Sequence, residues 1–241
     1  MNDITDREKK RLLERALAEG RRALDAGKFD EARKYFGDAL QIERDNEEAR
    51  AGQREADYRE RMTAGHRHYQ GKRYAEAAES FREAGGAAAD LTPEQRDQAA
   101  YYENIAKGYY SLGEDNFAAA KAFFEKAQKV DDQGAEGRAG LIETLSQAGQ
   151  RAEARKRRGE ARDYYRELLA FDPQNSEARV RLSAVNRQIQ IRWIIGGVIG
   201  MVILLLVLAQ VNQFIAWPVA ACNAPGIGGV LCTPSATPTL T

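Results

Sequence analysis

Residues 27–40 read GKFDEARKYFGDAL, and the same pattern of small and aromatic residues returns as GKRYAEAAESFREA at 71–84 and GEDNFAAAKAFFEKA at 113–127. Each stretch begins with a glycine, then has an alanine, an aromatic residue four positions later and a second alanine three positions after that. Because spacings of four and three fall on one face of an α-helix, each stretch is predicted to be a helix with a packed face. The residues of this face are Ala32, Phe36, Ala39, Ala77, Phe81, Ala84, Ala120, Phe124 and Ala127.

This pattern resembles the tetratricopeptide repeat (TPR), a helix–turn–helix unit of 34 residues. The first two repeat spacings here are 45 and 43 residues, so the units are elongated. A fourth, degenerate unit is placed on Gly149 and Ala154, because Ala154 lies 34 residues after Ala120. The sequence LLAFDP at 168–173 resembles the end of a repeat, but it lies seven residues further along the chain than a 34-residue unit would place it. This predicts two extra helical turns in the second helix of the unit.

The resemblance covers roughly residues 12–175 and implies an all-α, TPR-like solenoid of helical hairpins. We therefore expect about four hairpins over residues 1–175, then a long capping helix at 176–192 that continues into a membrane helix. Within the array, residues 47–70 are predicted to form one helix and 85–90 a loop. Thr92, Pro93 and Gln95 predict a helix start, with a cap residue, a proline in the first turn and a capping-box glutamine.

Residues 193–241 contain no charged side chain, whereas all 36 basic and 36 acidic residues precede them. The apolar run at 193–217 is long enough, at about 1.5 Å per residue, to cross a hydrocarbon core of about 30 Å. Trp193 and Trp217 bracket the run, as interfacial tryptophans do. Arginines precede the span and none follows it, so the positive-inside rule predicts a cytoplasmic N-terminal part and an extracytoplasmic tail at 218–241, largely disordered. The expected location is a bacterial cell membrane.

TPR arrays act as scaffolds that hold a peptide or helix against their first helices, which is what the resemblance implies for this chain. The most aromatic of these helices contains YYENIAKGYY at 101–110. By helical register, Tyr102, Ile105 and Tyr109 face the core, while Tyr101 and Tyr110 fall outside that stripe. Tyr101 and Tyr110 are therefore the candidate partner-binding residues, with core or rim packing as the alternative.

Basic residues cluster where the predicted insertion meets the membrane border. If the final helix packs antiparallel to the elongated helix before it, Arg155 lies level with Arg192. Such a collar of cations is expected to contact anionic lipid headgroups, with a solvated helix face as the alternative. The residues concerned are Arg155, Lys156, Arg157, Arg158, Arg187 and Arg192.

Two further features belong to the membrane end of the chain. Gly196 and Gly200 form a G-x-x-x-G pair, which permits close packing of two membrane helices and suggests a parallel, coiled-coil-like homodimer. Cys222 and Cys232 lie beyond the span, where an oxidising exterior favours a disulfide.

The sequence contains no motif typical of an enzyme, such as HExxH, a phosphate-binding loop or a Cys–His pair on one side of the membrane. His66 and His68 point to different faces of a helix and are separated from the cysteines by the span, which excludes a zinc site built from the four. We expect no cofactor and no metal, and the net charge of zero implies no general attraction to nucleic acid. The predicted function is a membrane-anchored scaffold for protein interactions, and the alternative is an integral subunit or assembly factor of a membrane complex.

Overall fold

The computed structural model describes the backbone of residues 2–86 and 91–221 and the side chains of residues 5–86 and 91–210. This part of the chain is all-α, as the repeats predicted. Its helices are α1 (Asn2–Asp25), α2 (Phe29–Ile42), α3 (Glu47–Gln70), α4 (Tyr74–Gly86), α5 (Pro93–Gly113), α6 (Phe117–Val130), α7 (Ala135–Ala154), α8 (Arg158–Phe171) and α9 (Ser176–Ala221).

The first eight helices form four hairpins, α1–α2, α3–α4, α5–α6 and α7–α8, which makes a TPR-like solenoid. Each of α2, α4 and α6 packs both on its own partner and on the odd-numbered helix that follows. The odd-numbered helices α1 and α3, and likewise α5 and α7, also contact each other directly. The array thus has a layer of long odd-numbered helices and a layer of shorter even-numbered ones.

Within each hairpin, the same tight turn joins the two helices. One residue adopts a positive φ, and the next N–H bonds back to the last turn of the odd-numbered helix, as from Lys28 to the Ala23 carbonyl at 2.9 Å. Only the first of these positions is a glycine. The four are Gly27 (φ 71°), Lys72 (57°), Asp115 (57°) and Lys156 (59°).

An aromatic side chain from each even-numbered helix fills the space between two odd-numbered ones. Phe36, Phe81, Phe124 and Tyr165 are all at most 1% exposed. Sixteen residues before each of them stands a glycine of the preceding helix, whose missing Cβ leaves room for the ring. These glycines are Gly20, Gly65, Gly108 and Gly149, and a Cβ on any of them would come within 2.9 Å of the ring. Full burial of such a ring contributes about 2–3 kcal/mol to stability.

The fourth repeat differs from the sequence prediction. Helix α7 continues through Gly149 to Ala154, and the turn follows at Arg155, so Gly149 is a packing glycine rather than a turn glycine. The buried face of α8 is Ala161, Tyr165 and Leu168, and α8 has 14 residues, as α2 and α6 do. The predicted seven-residue insertion in the second helix is therefore wrong. The additional length of every repeat lies in its first helix, which has 20–24 residues.

Helix boundaries follow local capping signals. Thr92 and Gln95 form the predicted capping box at the start of α5, and residues 47–70 form one helix, as predicted. Asn175 caps α9, because its side-chain oxygen accepts from the N–H of Ala178 at 3.0 Å. The predicted loop at 85–90 is wrong for its first two residues, since Gly85 and Gly86 belong to α4; residues 87–90 lie outside the described part.

The chain divides into two compact units within α9, between Leu182 and Ser183. The first unit holds the array and the first two turns of α9. In the second unit, α9 is the one described helix long and apolar enough to cross a membrane, with a mean hydropathy of 2.5 over its most apolar window. Its large apolar side chains from Trp193 to Leu208 are 50–79% exposed.

Candidate functional site

Polar contacts join each odd-numbered helix to the next. Between α1 and α3, Arg21 Nε lies 3.2 Å from Glu48 Oε1. Between α3 and α5, the Tyr58 hydroxyl donates to Gln98 Oε1 at 2.9 Å. Two clefts lie along the line of these helices and share Gln98 in their linings. We call the two clefts together the odd-helix groove.

The first cleft of the groove lies between α1, α3 and α5 and encloses about 520 Å³. Its lining includes Met62, Thr63 and His66 of α3. Its two carboxylates are paired within the chain, because the Arg59 guanidinium lies 2.5 Å from a carboxylate oxygen of Glu55 and 3.9 Å from one of Asp25. This cleft offers a mixed surface of apolar, hydroxyl and imidazole groups without a strong electrostatic preference.

The second cleft of the groove lies between α5 and α7, encloses about 380 Å³ and is acidic. Besides Gln98, Tyr101, Tyr102 and Val130, its lining consists of Glu94, Asp97, Asp131 and Glu136. None of these four residues was predicted from the sequence as part of a binding site. Acidic residues are common in the first turn of a helix, where they favour the helix dipole, so Glu94 and Glu136 gave no separate signal.

Tyr101 lies at the base of the acidic cleft and is only 5% exposed. Its hydroxyl accepts from the backbone N–H of Gly137 at 3.2 Å and donates to Glu136 Oε2 at 3.3 Å. It thereby satisfies a free N–H in the first turn of α7, whose N-cap residue, Gly134, has no side chain to do so. Tyr101 therefore packs between α5 and α7, which is the alternative given for it, and a direct role in partner binding stays a prediction.

Burial also sets the ionisation of Tyr101. Burial raises its pKa to about 12; the bond from the Gly137 N–H opposes this shift, and the charge of Glu136 adds to it. The hydroxyl therefore keeps its proton at neutral pH and remains a donor to Glu136. This fixes the Glu136 carboxylate at the wall of the acidic cleft.

His66 and Tyr102 form an aromatic surface where the two clefts meet. The His66 ring lies edge-on to Tyr102, with ring centroids 4.5 Å apart, and edge-on to Phe81 at 5.0 Å. Tyr102 in turn stacks on Phe81 at 5.4 Å. Burial lowers the pKa of His66 below its usual value, with the charge of Glu136 acting in the opposite direction, so the imidazole is neutral at physiological pH.

The other predicted tyrosines have different surroundings. Tyr109 stacks on Tyr74 with centroids 5.4 Å apart and meets Tyr69 at 5.8 Å, so it packs at the turn end of α3 and α5. Ile105 is fully buried, as the register predicted. Tyr110 is 50% exposed, so its predicted role in partner binding stays open as a prediction.

The predicted basic collar includes a turn. Arg155, Lys156 and Arg157 form the exposed turn between α7 and α8 rather than an extra helical turn, and Arg158 is the first residue of α8. Membrane contact by this group stays a sequence prediction, for the turn residues as for Arg187 and Arg192.

The remaining sequence predictions concern the membrane end and metal binding. Nothing lies within 4 Å of a Cβ built on Gly196 or Gly200, so both positions are open to a neighbouring helix. Cys222 and Cys232 lie outside the described residues. In the described part of the chain, no group of three or more His, Cys, Asp or Glu side chains could hold a metal ion.

Comparison with known proteins adds little to this geometry. No family model and no curated protein matches the chain. Among solved structures, PilF of Pseudomonas aeruginosa is similar at 18% sequence identity, over 77% of this chain and 94% of that one, with a TM-score of 0.34. A TM-score this low carries no argument, and the fold assignment rests on the four hairpins themselves.

Proposed function

We propose that this protein is a membrane-anchored scaffold without enzymatic activity. In this proposal α9 fixes the chain in a membrane, and the odd-helix groove holds a segment of a partner protein at the cytoplasmic face. The observation that carries the proposal is the groove itself. It follows the odd-numbered helices from α1 to α7 and combines exposed polar groups with half-buried aromatic rings such as Tyr102 and His66. Grooves of this kind along helices are a common way to recognise an extended or helical peptide.

The anchor is supported by the exposure of α9. A run of apolar side chains that are at least half exposed, as from Trp193 to Leu208, is unfavourable in water at about 25 cal/mol for each Å². In lipid the same surface is favourable, and the helix satisfies its own backbone hydrogen bonds. The cytoplasmic position of the array is proposed from the arginines that precede the span.

The alternative function, an integral subunit or assembly factor of a membrane complex, would use the same exposed surface differently. The open positions at Gly196 and Gly200 favour close approach of another membrane helix, either from a second copy of this chain or from a different subunit. In that case the span would make the main contact and the array would be secondary.

Photocrosslinking from two positions tests whether the groove is where a partner binds. Benzoylphenylalanine at Thr63, which lines the first cleft, should give discrete crosslinked products in membranes of the source cell. The same residue at Ala122, on the exposed surface of α6, is the matched control and should give few or none. Equal product patterns from both positions, or products from Ala122 alone, would reject the groove as the binding surface.

A further inference from the structure

We infer that the acidic cleft between α5 and α7 binds a cationic segment of the partner protein, one that presents arginine or lysine side chains. The inference rests on the proposed function and specifies the chemistry of the ligand. The cleft has a half-buried aromatic wall and carboxylates that no cation in the described part of the chain neutralises. Charge complementarity therefore favours a positively charged ligand.

The charge of the cleft is not neutralised within the chain. In the described part, no lysine or arginine nitrogen lies within 4.0 Å of the carboxylates of Glu94, Asp97, Asp131 or Glu136. Many other carboxylates of the array are paired; Asp57 and Glu60, for example, both bind Arg33, at 3.1 and 2.6 Å. Four like charges around one cleft repel each other, and a cation from outside would relieve that repulsion.

Hydrogen bonds hold two of these carboxylates in place. Glu136 accepts from the Tyr101 hydroxyl, and Asp131 Oδ1 accepts from the backbone N–H of Gln133 at 3.0 Å. The acceptors are therefore arranged before a ligand arrives, which lowers the cost of ordering them on binding.

The negative field extends over the aromatic wall. Burial raises the pKa of Tyr102, and the charges of Glu136 and Asp131 raise it further. A guanidinium group is suited to a cleft lined by carboxylates and an aromatic ring. Its several N–H groups can bind carboxylate oxygens, and its flat face can contact the ring. Val130, which is 38% exposed at the rim, offers apolar surface for the methylene groups of the same side chain.

The cleft is large enough for side chains but not for a folded domain. A volume of about 380 Å³ matches one or two long side chains, so the ligand is expected to insert basic residues while its backbone lies along the groove. The first cleft, whose two carboxylates are already paired with Arg59, would contact neighbouring residues of the same segment.

A peptide-binding experiment on the full chain in zwitterionic lipid nanodiscs tests this inference. The probes are a fluorescein-labelled eight-residue peptide of alternating arginine and alanine, and the same peptide with neutral citrulline in place of arginine. At 150 mM salt, wild type should bind the arginine peptide at least tenfold more tightly. The double variant Asp97→Lys, Asp131→Lys should lose at least tenfold in affinity for it.

The control is the double variant Glu14→Lys, Glu114→Lys, which makes the same change in net charge at exposed positions away from the cleft. It should change affinity less than twofold. Equal losses in both double variants, or equal binding of the two peptides by wild type, would overturn the inference. If the lysine variant fails to fold, the double variant Asp97→Asn, Asp131→Asn is measured instead. It must then show the loss of affinity for the arginine peptide.

The two experiments distinguish failure of this inference from failure of the proposed function. If a partner is crosslinked at Thr63 but peptide binding does not depend on the charges of the cleft, the cationic ligand is refuted. The proposed scaffold function is then unaffected. Charge-dependent peptide binding without any crosslink at Thr63 refutes the groove as the partner site in membranes. A crosslinked product that proves to be a second copy of this chain also contradicts a separate cationic partner.

Discussion

Replacement of Phe124 by alanine should lower the free energy of unfolding of the array by about 3–5 kcal/mol, the range found for deletion of a buried aromatic side chain. Phe124 is fully buried and is held between Gly108 of α5 and Gly140 of α7. Its ring also meets the Tyr109 ring edge-on, with centroids 5.0 Å apart. Two of its neighbours, Gly108 and Gly140, have no side chain that could move into the space, so we expect most of the cavity to persist.

Phe123 provides a matched control at the next position. Its ring is partly buried and makes cation–π contacts, with Lys126 Nζ at 5.3 Å and Lys107 Nζ at 5.8 Å from its centroid. Because its ring reaches the surface, Phe123→Ala leaves no enclosed cavity and should cost less than Phe124→Ala, by at least about 1 kcal/mol. Near-UV circular dichroism is a suitable probe of the full chain in detergent, because all ten tyrosines lie in the array and both tryptophans lie in α9. Equal losses for Phe123→Ala and Phe124→Ala would contradict the packing described here.

Two glycine-to-alanine substitutions are expected to change the free energy of unfolding in opposite directions. Gly52→Ala places a Cβ 2.4 Å from Phe36, whose ring is 1% exposed and lies between α1 and α3. The overlap should cost about 1–3 kcal/mol, even though alanine is the better helix former. Gly37→Ala, in the interior of α2, meets nothing closer than 3.5 Å and should stabilise the array by up to about 1 kcal/mol.

Relief of the clash gives an additional check on the Gly52 result. Phe36→Leu shortens the side chain that the new Cβ would meet, so its cost should be smaller in the Gly52→Ala background than in wild type. Thermal unfolding followed by tyrosine circular dichroism measures all four chains. Stabilisation by Gly52→Ala, or strict additivity in the double variant, would show that the glycine is not required by close approach of the helices.

Sequence reasoning predicted well those elements whose signal is local. The alanine and aromatic spacing located α2, α4 and α6, and the capping residues located the start of α5. The charge-free run located the apolar part of α9. Each of these signals depends on residues a few positions apart on a single helix, where the physical rule relates spacing directly to structure.

The fourth repeat was misplaced because its turn lacks the expected residue. Lys156 adopts a φ of 59°, a conformation that favours glycine, whereas Gly149 stands inside α7 against Tyr165. A turn placed at Gly149 instead of Lys156 displaces the predicted repeat by seven residues. The constant distance of sixteen residues between each packing glycine and its aromatic ring would have given the correct register.

Tyr101 and the acidic cleft depend on contacts between helices that are far apart in the sequence. Tyr101 lies off the stripe of α5 that faces α4 and α6, and one helical stripe is all that periodicity detects. The long odd-numbered helices have a second buried side, where α7 packs on α5. The four acidic residues of the cleft come from two helix starts and one helix end, and only the packing of α5 against α7 brings them together.

Replacement of the membrane span tests most directly the central claim, that the array binds the partner and α9 anchors it. Three chains are crosslinked in membranes and purified: wild type, a chain with residues 193–217 replaced by an unrelated apolar helix, and Thr63→Trp, which fills the first cleft. We expect the span-replaced chain to recover the same protein as wild type and Thr63→Trp to recover at least tenfold less of it. Loss of that protein on span replacement, with full recovery by Thr63→Trp, would contradict the account and favour an integral subunit.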